Sequence, residues 1–82
     1  MFRDKLRAVL ELWIDGVERH LRRARKNGYL QKDVEPRRLA EFIVMSHEGA
    51  FGMTKSLGDR QVFRSLHASL ERYLDSVMTR PA

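Results

Sequence analysis

Apolar side chains recur every three to four residues through most of the chain, and Gly28, Pro36 and the Gly58-Asp59 pair break that rhythm. No stretch alternates with period two for long enough to make a strand, and no internal repeat is visible. The pattern predicts an all-α domain of three helices, over about 3–27, 36–57 and 59–79. At about 100° per residue, helix one gathers Phe2, Leu6, Val9, Leu10, Trp13, Ile14, Val17, Leu21 and Ala24 on one side. Asp4, Arg7, Glu11, Asp15, Glu18, Arg22 and Lys26 fall opposite. Its last turns are cationic, which suits the negative end of the helix dipole, and Gly28 follows as the residue able to take positive φ.

In the next loop, Tyr29, Leu30 and Val34 are expected to fold back onto the body. Pro36 suits the first helical position because it lacks an N–H and has helical φ already, which makes Glu35 the cap, with Asp33 helping by charge. Helix three is an ordinary amphipathic segment. It is capped by Asp59, striped with Val62, Phe63, Leu66, Leu70, Tyr73, Leu74 and Val77, and followed by Pro81 as a stop.

Helix two is different, because its apolar residues nearly encircle it. Leu39, Ala40, Ile43, Val44, Ala50 and Phe51 lie on one side, and Phe42, Met45 and Met53 on another, alongside Gly49, Gly52 and Ser56. Only a narrow strip with Arg37, Glu41, Glu48 and Lys55 suits water. A helix apolar on most sides must be covered on most sides, and two neighbours in one short chain cannot do it. The simplest solution is a homodimer, with helices two and three packing on their copies as a four-helix bundle. Gly49 and Gly52 agree: a glycine inside a helix costs about 1 kcal/mol relative to alanine and is tolerated where another surface approaches closely. The plainer alternative is core packing within one chain.

Composition narrows the class. Eighty-two residues allow one small domain, 1–82, and the absence of cysteine excludes disulfides and thiolate metal sites. The early charges at Arg3, Asp4, Lys5 and Arg7 interrupt any signal-like apolar run, and no segment is apolar enough to span a membrane, so the chain is expected in the cytoplasm. Sixteen Lys and Arg against eleven Asp and Glu leave a formal charge of +5. Arg19, Arg22, Arg23, Arg25 and Lys26, with Lys32, Arg37 and Arg38 nearby, make the one nucleic-acid footprint the sequence offers. Its rival reading is a solvated face that complements the helix dipole, and no aromatic residues interleave with it for base stacking.

No catalytic set emerges, and none of the phosphate-cradling or nucleophile-elbow motifs is present, so an enzyme is not expected. His47-Glu48-Gly49-Ala50-Phe51 begins like the zinc motif H-E-x-x-H but carries Phe51 where the second histidine belongs, so neither metal nor cofactor is expected. Gly49-Ala50-Phe51-Gly52 spells the backbone clamp of an RNA-binding loop, yet it lies within an apolar helix rather than an exposed basic turn. His20 and His67 border apolar stripes, and His47 sits among the apolar residues of helix two. A lone half-buried histidine is usually a core or interface residue, and His47 alone also reads as a polar contact to an effector or a groove-lining residue.

The ordered series Gly28-Tyr29-Leu30, Asp33-Val34-Glu35-Pro36, Leu39-Ala40 and Glu48-Gly49-Ala50, with Trp13 before it and Gly58-Asp59 after, resembles the C-terminal domain of TetR-family (tetracycline-repressor-type) transcriptional regulators. The resemblance covers about residues 6 to 78. Glu35 departs from the aspartate usual in the family, which touches only the helix cap. The resemblance implies dimerisation through the last two helices, a small-molecule cavity roofed by such helices, and a signal passed to a helix-turn-helix on operator DNA. No helix-turn-helix precedes helix one in this sequence, so specific operator binding is expected only through a separate N-terminal domain.

The burial argument and the resemblance together place Phe42, Met45, Gly49, Gly52, Met53, Leu66, Tyr73 and Val77 at a dimer interface. Trp13, Val17, Ile43, His47 and Phe51 are the candidates to meet a small apolar or amphipathic effector, since aromatic walls with a few polar groups make a ligand pocket. The alternative function is a free-standing basic helical module that binds nucleic acid through the Arg19–Lys26 face.

Overall fold

The computed structural model describes residues 2–80, with side chains from residue 3 onward. The expected contribution of the Phe2 side chain and the stop at Pro81 lie outside the described residues. Three helices make up the fold: α1 (Phe2–Lys26), α2 (Pro36–Leu57) and α3 (Arg60–Val77). No strand of more than an isolated bridge occurs among the described residues.

The helix ends follow from their capping chemistry. Gly28 takes φ 86°, and the N–H groups of Gly28 and Tyr29 donate to the carbonyls of Arg25 and Ala24 at 3.1 and 2.8 Å, closing the C-terminus of α1. Glu35 caps α2 by accepting from the Arg37 N–H at 3.1 Å, with Pro36 in the first turn. Gly58 takes φ 67° and donates to the Thr54 carbonyl at 2.8 Å. Asp59 caps α3 by accepting from the Gln61 N–H at 2.8 Å.

Helix α3 stops two residues short of the predicted end. Met78 is extended and forms an antiparallel bridge with Leu30. The Gln31 N–H donates to the Val77 carbonyl at 3.0 Å, and the Thr79 N–H to the Tyr29 carbonyl at 2.9 Å. Side chains reinforce the same junction: Thr79 Oγ1 donates to the Gly28 carbonyl at 2.7 Å, and Gln31 Nε2 to the Ser76 carbonyl at 2.9 Å. These bonds clasp the α1–α2 loop to the far end of α3. Leu30 sits beneath the clasp at 1% exposure and Val34 is half-buried, whereas the Tyr29 side chain stays 49% exposed, against the expectation that it folds inward.

Helix α2 is the middle element, with antiparallel α1 and α3 on either side that do not pack along each other. The molecule is consequently a slab, 44 × 32 × 14 Å, little more than one helix thick. Its core has two small parts. Ile14, Ala40 and Val44 pack with Leu10, Val17 and Leu21 between α1 and α2. Leu30, Leu39 and Val77 pack with Leu21, Ala24, Val34, Ile43 and Leu74 at the clasped end. An ion-pair cluster fastens α1 to α2 at the rim: Arg37 reaches Asp15 at 2.6 Å and Glu18 at 3.1 Å, while Arg22 reaches Glu18 at 2.6 Å and Glu35 at 3.6 Å.

The core is small for the apolar content. Among the described residues seven apolar side chains and Pro36 are buried, whereas twelve large apolar ones are exposed, including Leu12, Met45, Phe51, Met53 and Leu57 at more than half. A domain normally hides its apolar faces between two layers. Here there is one layer, so both broad faces present apolar side chains to their surroundings.

Candidate functional site

Helix α2 carries one exposed stripe and, on its opposite side, the exposed pair His47 and Phe51 beside half-buried Ile43. At about 100° per residue, Phe42, Met45, Gly49, Gly52, Met53 and Ser56 fall within one arc of about 100°. Ile43, His47 and Phe51 fall on the opposite side, with His47 about 160° from Met45 and Phe51 about 160° from Gly49. Because α1 and α3 occupy the two flanks, these two groups open onto opposite broad faces of the slab. They are called the glycine face and the histidine face below.

On the glycine face the Phe42 ring meets the Tyr73 ring edge-on, centroids 5.2 Å apart and planes at 65°. Phe42, Met45, Met53 and Tyr73 are all exposed, and Leu66 is half-buried. A β-carbon built on Gly49 or Gly52 would meet nothing within 4 Å. Nothing within the chain therefore calls for glycine at either place. Val77, placed with this group by sequence, is instead buried against Leu30 and Leu39. A hollow of about 570 Å³ flanks Phe42 and Tyr73 at the clasped end, its polar lining supplied by Gln31, Asp33, Glu35 and Arg38. A second of about 370 Å³ runs between Met45 and Leu6, Leu10 and Ile14 of α1, and Glu11 lines it too.

On the histidine face the His47 ring stands edge-on to Phe63, centroids 5.5 Å apart at 83°. Phe63 and Phe51 join Thr54, Arg60 and Arg64 around an open groove of about 440 Å³. Local geometry assembles it: His47 and Phe51 are one turn apart on α2, Arg60 and Arg64 one turn apart on α3, and the tight turn at Gly58 folds the two helices together. Thr54 Oγ1 is buried there without a hydrogen-bond partner among the described residues.

Of the five expected effector contacts, the groove brings together His47 and Phe51. Trp13 lies about 160° around α1 from Glu11, which turns it to the histidine face, where it is 51% exposed. Among the described residues no ring pair joins Trp13 to His47. Val17 and Ile43 are half-buried and pack against the two core clusters. Sequence reasoning missed Phe63, Arg60, Arg64 and Thr54. The signal was available, in that two one-turn pairs stand on either side of Gly58-Asp59, but reading it required knowing that the turn closes tightly.

The basic cluster of α1 is partly spent inside the molecule. Arg22 pairs with Glu18 and Glu35, Arg37 with Asp15, Glu18 and Glu41, and Arg25 donates to the Val34 carbonyl at 3.2 Å. The hydrogen bond from Arg22 holds the Glu18 carboxyl below its usual range, outweighing partial desolvation, and Arg37 adds to the effect. Arg37 in turn is raised by its hydrogen bonds to Asp15 and then Glu18. Among the described residues no group of three or more His, Asp and Glu could hold a metal ion, and no helix is long and apolar enough to cross a membrane.

The family described as "Tetracyclin repressor-like, C-terminal domain" matches residues 1–75 through its sequence model. No curated protein and no solved structure matches the chain.

Proposed function

Since the chain belongs to the tetracyclin repressor-like C-terminal domain family, we propose that it is the dimerisation and small-molecule-sensing domain of a transcription regulator. Domains of this family belong to regulators rather than to enzymes. The DNA-reading helix-turn-helix that it would control lies outside these residues, and the cytoplasm is its place of action.

One observation carries the reading. A slab little more than one helix thick leaves Phe42, Met45 and Met53 of α2 exposed along one face, together with Gly49 and Gly52, whose missing side chains nothing in the chain requires. The glycine face is the dimer surface: Phe42, Met45, Gly49, Gly52, Met53, Leu66 and Tyr73 meet the same residues of a second copy, and Val77 supports them from beneath. Two α2–α3 pairs then form a four-helix bundle about a two-fold axis. Gly49 and Gly52 let the two α2 backbones approach closely.

The histidine face is the sensing surface. Trp13, His47 and Phe51 line it directly, and Val17 and Ile43 set its floor. An effector bound there favours one arrangement of α1 and α2 relative to the dimer axis. The two arrangements differ in the spacing of whatever is joined to each protomer, and the effector shifts their populations by its difference in affinity.

The experiment is light scattering of the purified chain across a wide dilution series, with melting recorded at each concentration. A dimer that persists on dilution, with a melting temperature that falls as protein is diluted, supports the reading. A folded monomer at every concentration removes the dimer geometry. The nucleic-acid alternative loses ground on the ion pairs of Arg22 and Arg37, and no observation favours it.

A further inference from the structure

The groove at the α2–α3 turn is apolar on its walls and cationic at its rim. Phe51 and Phe63 supply the walls, Arg60 and Arg64 the charge, and His47 and Thr54 further polar atoms. No carboxylate lines it. The Asp59 carboxylate beside Arg60 accepts from the Gln61 N–H at 2.8 Å, and Glu71, two turns beyond Arg64, contacts His67 at 3.4 Å. Arg22 and Arg37, by contrast, are taken up by carboxylates. Among the described residues neither Arg60 nor Arg64 has an ion pair.

We propose that this groove binds a small amphipathic carboxylic acid, with its carboxylate held by Arg60 and Arg64 and its apolar tail laid between Phe51 and Phe63. The proposal rests on the ligand-sensing reading above and adds to it the chemical class of the ligand. Planar guanidinium groups match a carboxylate in two-pronged hydrogen bonds, which a neutral ligand cannot return. Two guanidiniums one turn apart give the head group a defined seat, while the tail replaces water over two phenyl rings. A volume of about 440 Å³ lies at the small end of ligand pockets, which favours a short acid over a bulky polycycle. The Thr54 hydroxyl, buried and unpartnered, gains a hydrogen-bonding site if the head group or an ordered water reaches it.

The test compares octanoate with 1-octanol, which share a tail and differ in charge, by amide chemical-shift titration of the 82-residue chain. Octanoate is expected to saturate at one per chain, to shift the amides of Phe51, Thr54 and Phe63, and to bind roughly tenfold or more tighter than octanol. Arg60→Gln combined with Arg64→Gln, checked for unchanged helical content, is expected to erase that preference and leave octanol binding as it was. Equal binding of the two probes, or a preference that survives the double substitution, would overturn the anionic class while leaving a sensing domain in place. Failure of both probes to bind a chain that remains dimeric also overturns this proposal and leaves the dimerisation reading standing. An arginine-dependent preference for octanoate in a monomeric chain upholds the groove and removes the dimer.

Discussion

The Tyr73 ring meets the Phe42 ring edge-on at 5.2 Å, yet each residue remains close to half exposed. An aromatic pair that is locked together but not covered is an anchor awaiting a second surface. Aromatic residues at the centre of an interface often contribute about 2 kcal/mol or more when truncated. Phe42→Ala is therefore expected to weaken the dimer by roughly thirtyfold or more, with helical content retained. Sedimentation of the variant across a dilution series reads this directly. A dimer constant equal to that of the parent chain would move the interface off the glycine face.

Gly49 makes a sharper prediction because its effects on the monomer and on the dimer have opposite signs. With nothing within 4 Å of its added β-carbon, Gly49→Ala should strengthen α2 by about 0.5–1 kcal/mol in the isolated protomer. Gly49→Leu should fill the crossing point between the two copies of α2 and weaken association. Comparing denaturant melts at low concentration with dimer constants separates the two effects. Equal dimer constants for both variants and the parent would take Gly49 out of the contact.

Glu18 ties α1 to α2 through Arg22 and Arg37, and its carboxyl is held below the ordinary value of 4.5. A carboxylate with a lowered folded pKa stabilises the fold fully above that ordinary value and loses its contribution as the pH falls through the folded one. Melting temperature should thus decline on acidification below about pH 4.5, and Glu18→Gln should show a lower melting point at pH 7 with a flatter acid limb. Parallel pH profiles for the two proteins would locate the acid sensitivity in other carboxylates.

Leu30 lies in a loop, yet it is 1% exposed and packs with Leu39 and Val77 under the clasp. Truncation of a buried leucine costs about 2–5 kcal/mol. In a chain with so few buried side chains, Leu30→Ala should shift the urea midpoint more than Tyr29→Ala, whose ring is exposed. Equal shifts would mean that the clasp holds the ends together without help from the core beneath it.

The three helices, their caps at Glu35 and Asp59, and the stop at Gly28 were legible because each depends on residues close in sequence. So was the surplus of apolar surface on α2, since helical periodicity reveals how many sides of a helix are greasy. Periodicity does not reveal which neighbour takes which side. Val77 reads as one more member of an exposed stripe, and only the return of the Leu30 loop shows it to be covered. Likewise the end of α3 at Val77 is decided by Gln31 and Thr79, which are far apart in sequence and carry no local helix-stop signal. Arg60 and Arg64 come to stand with Phe51 only through the Gly58 turn, which periodicity does not reveal.

The clasp also makes the slab a lever. It pins the end of α1, the start of α2 and the end of α3 together with two backbone and two side-chain bonds across the junction. At the opposite end, the turn at Gly58 joins α2 to α3. Helix α2, with 22 residues, is about 33 Å long. A swing of about 5° between α1 and α2 about the pinned end would move their far tips apart by about 3 Å. Small repacking near Leu21 and Leu39 is thereby amplified with distance from the pinned end, past the hollow between Leu6 and Met45.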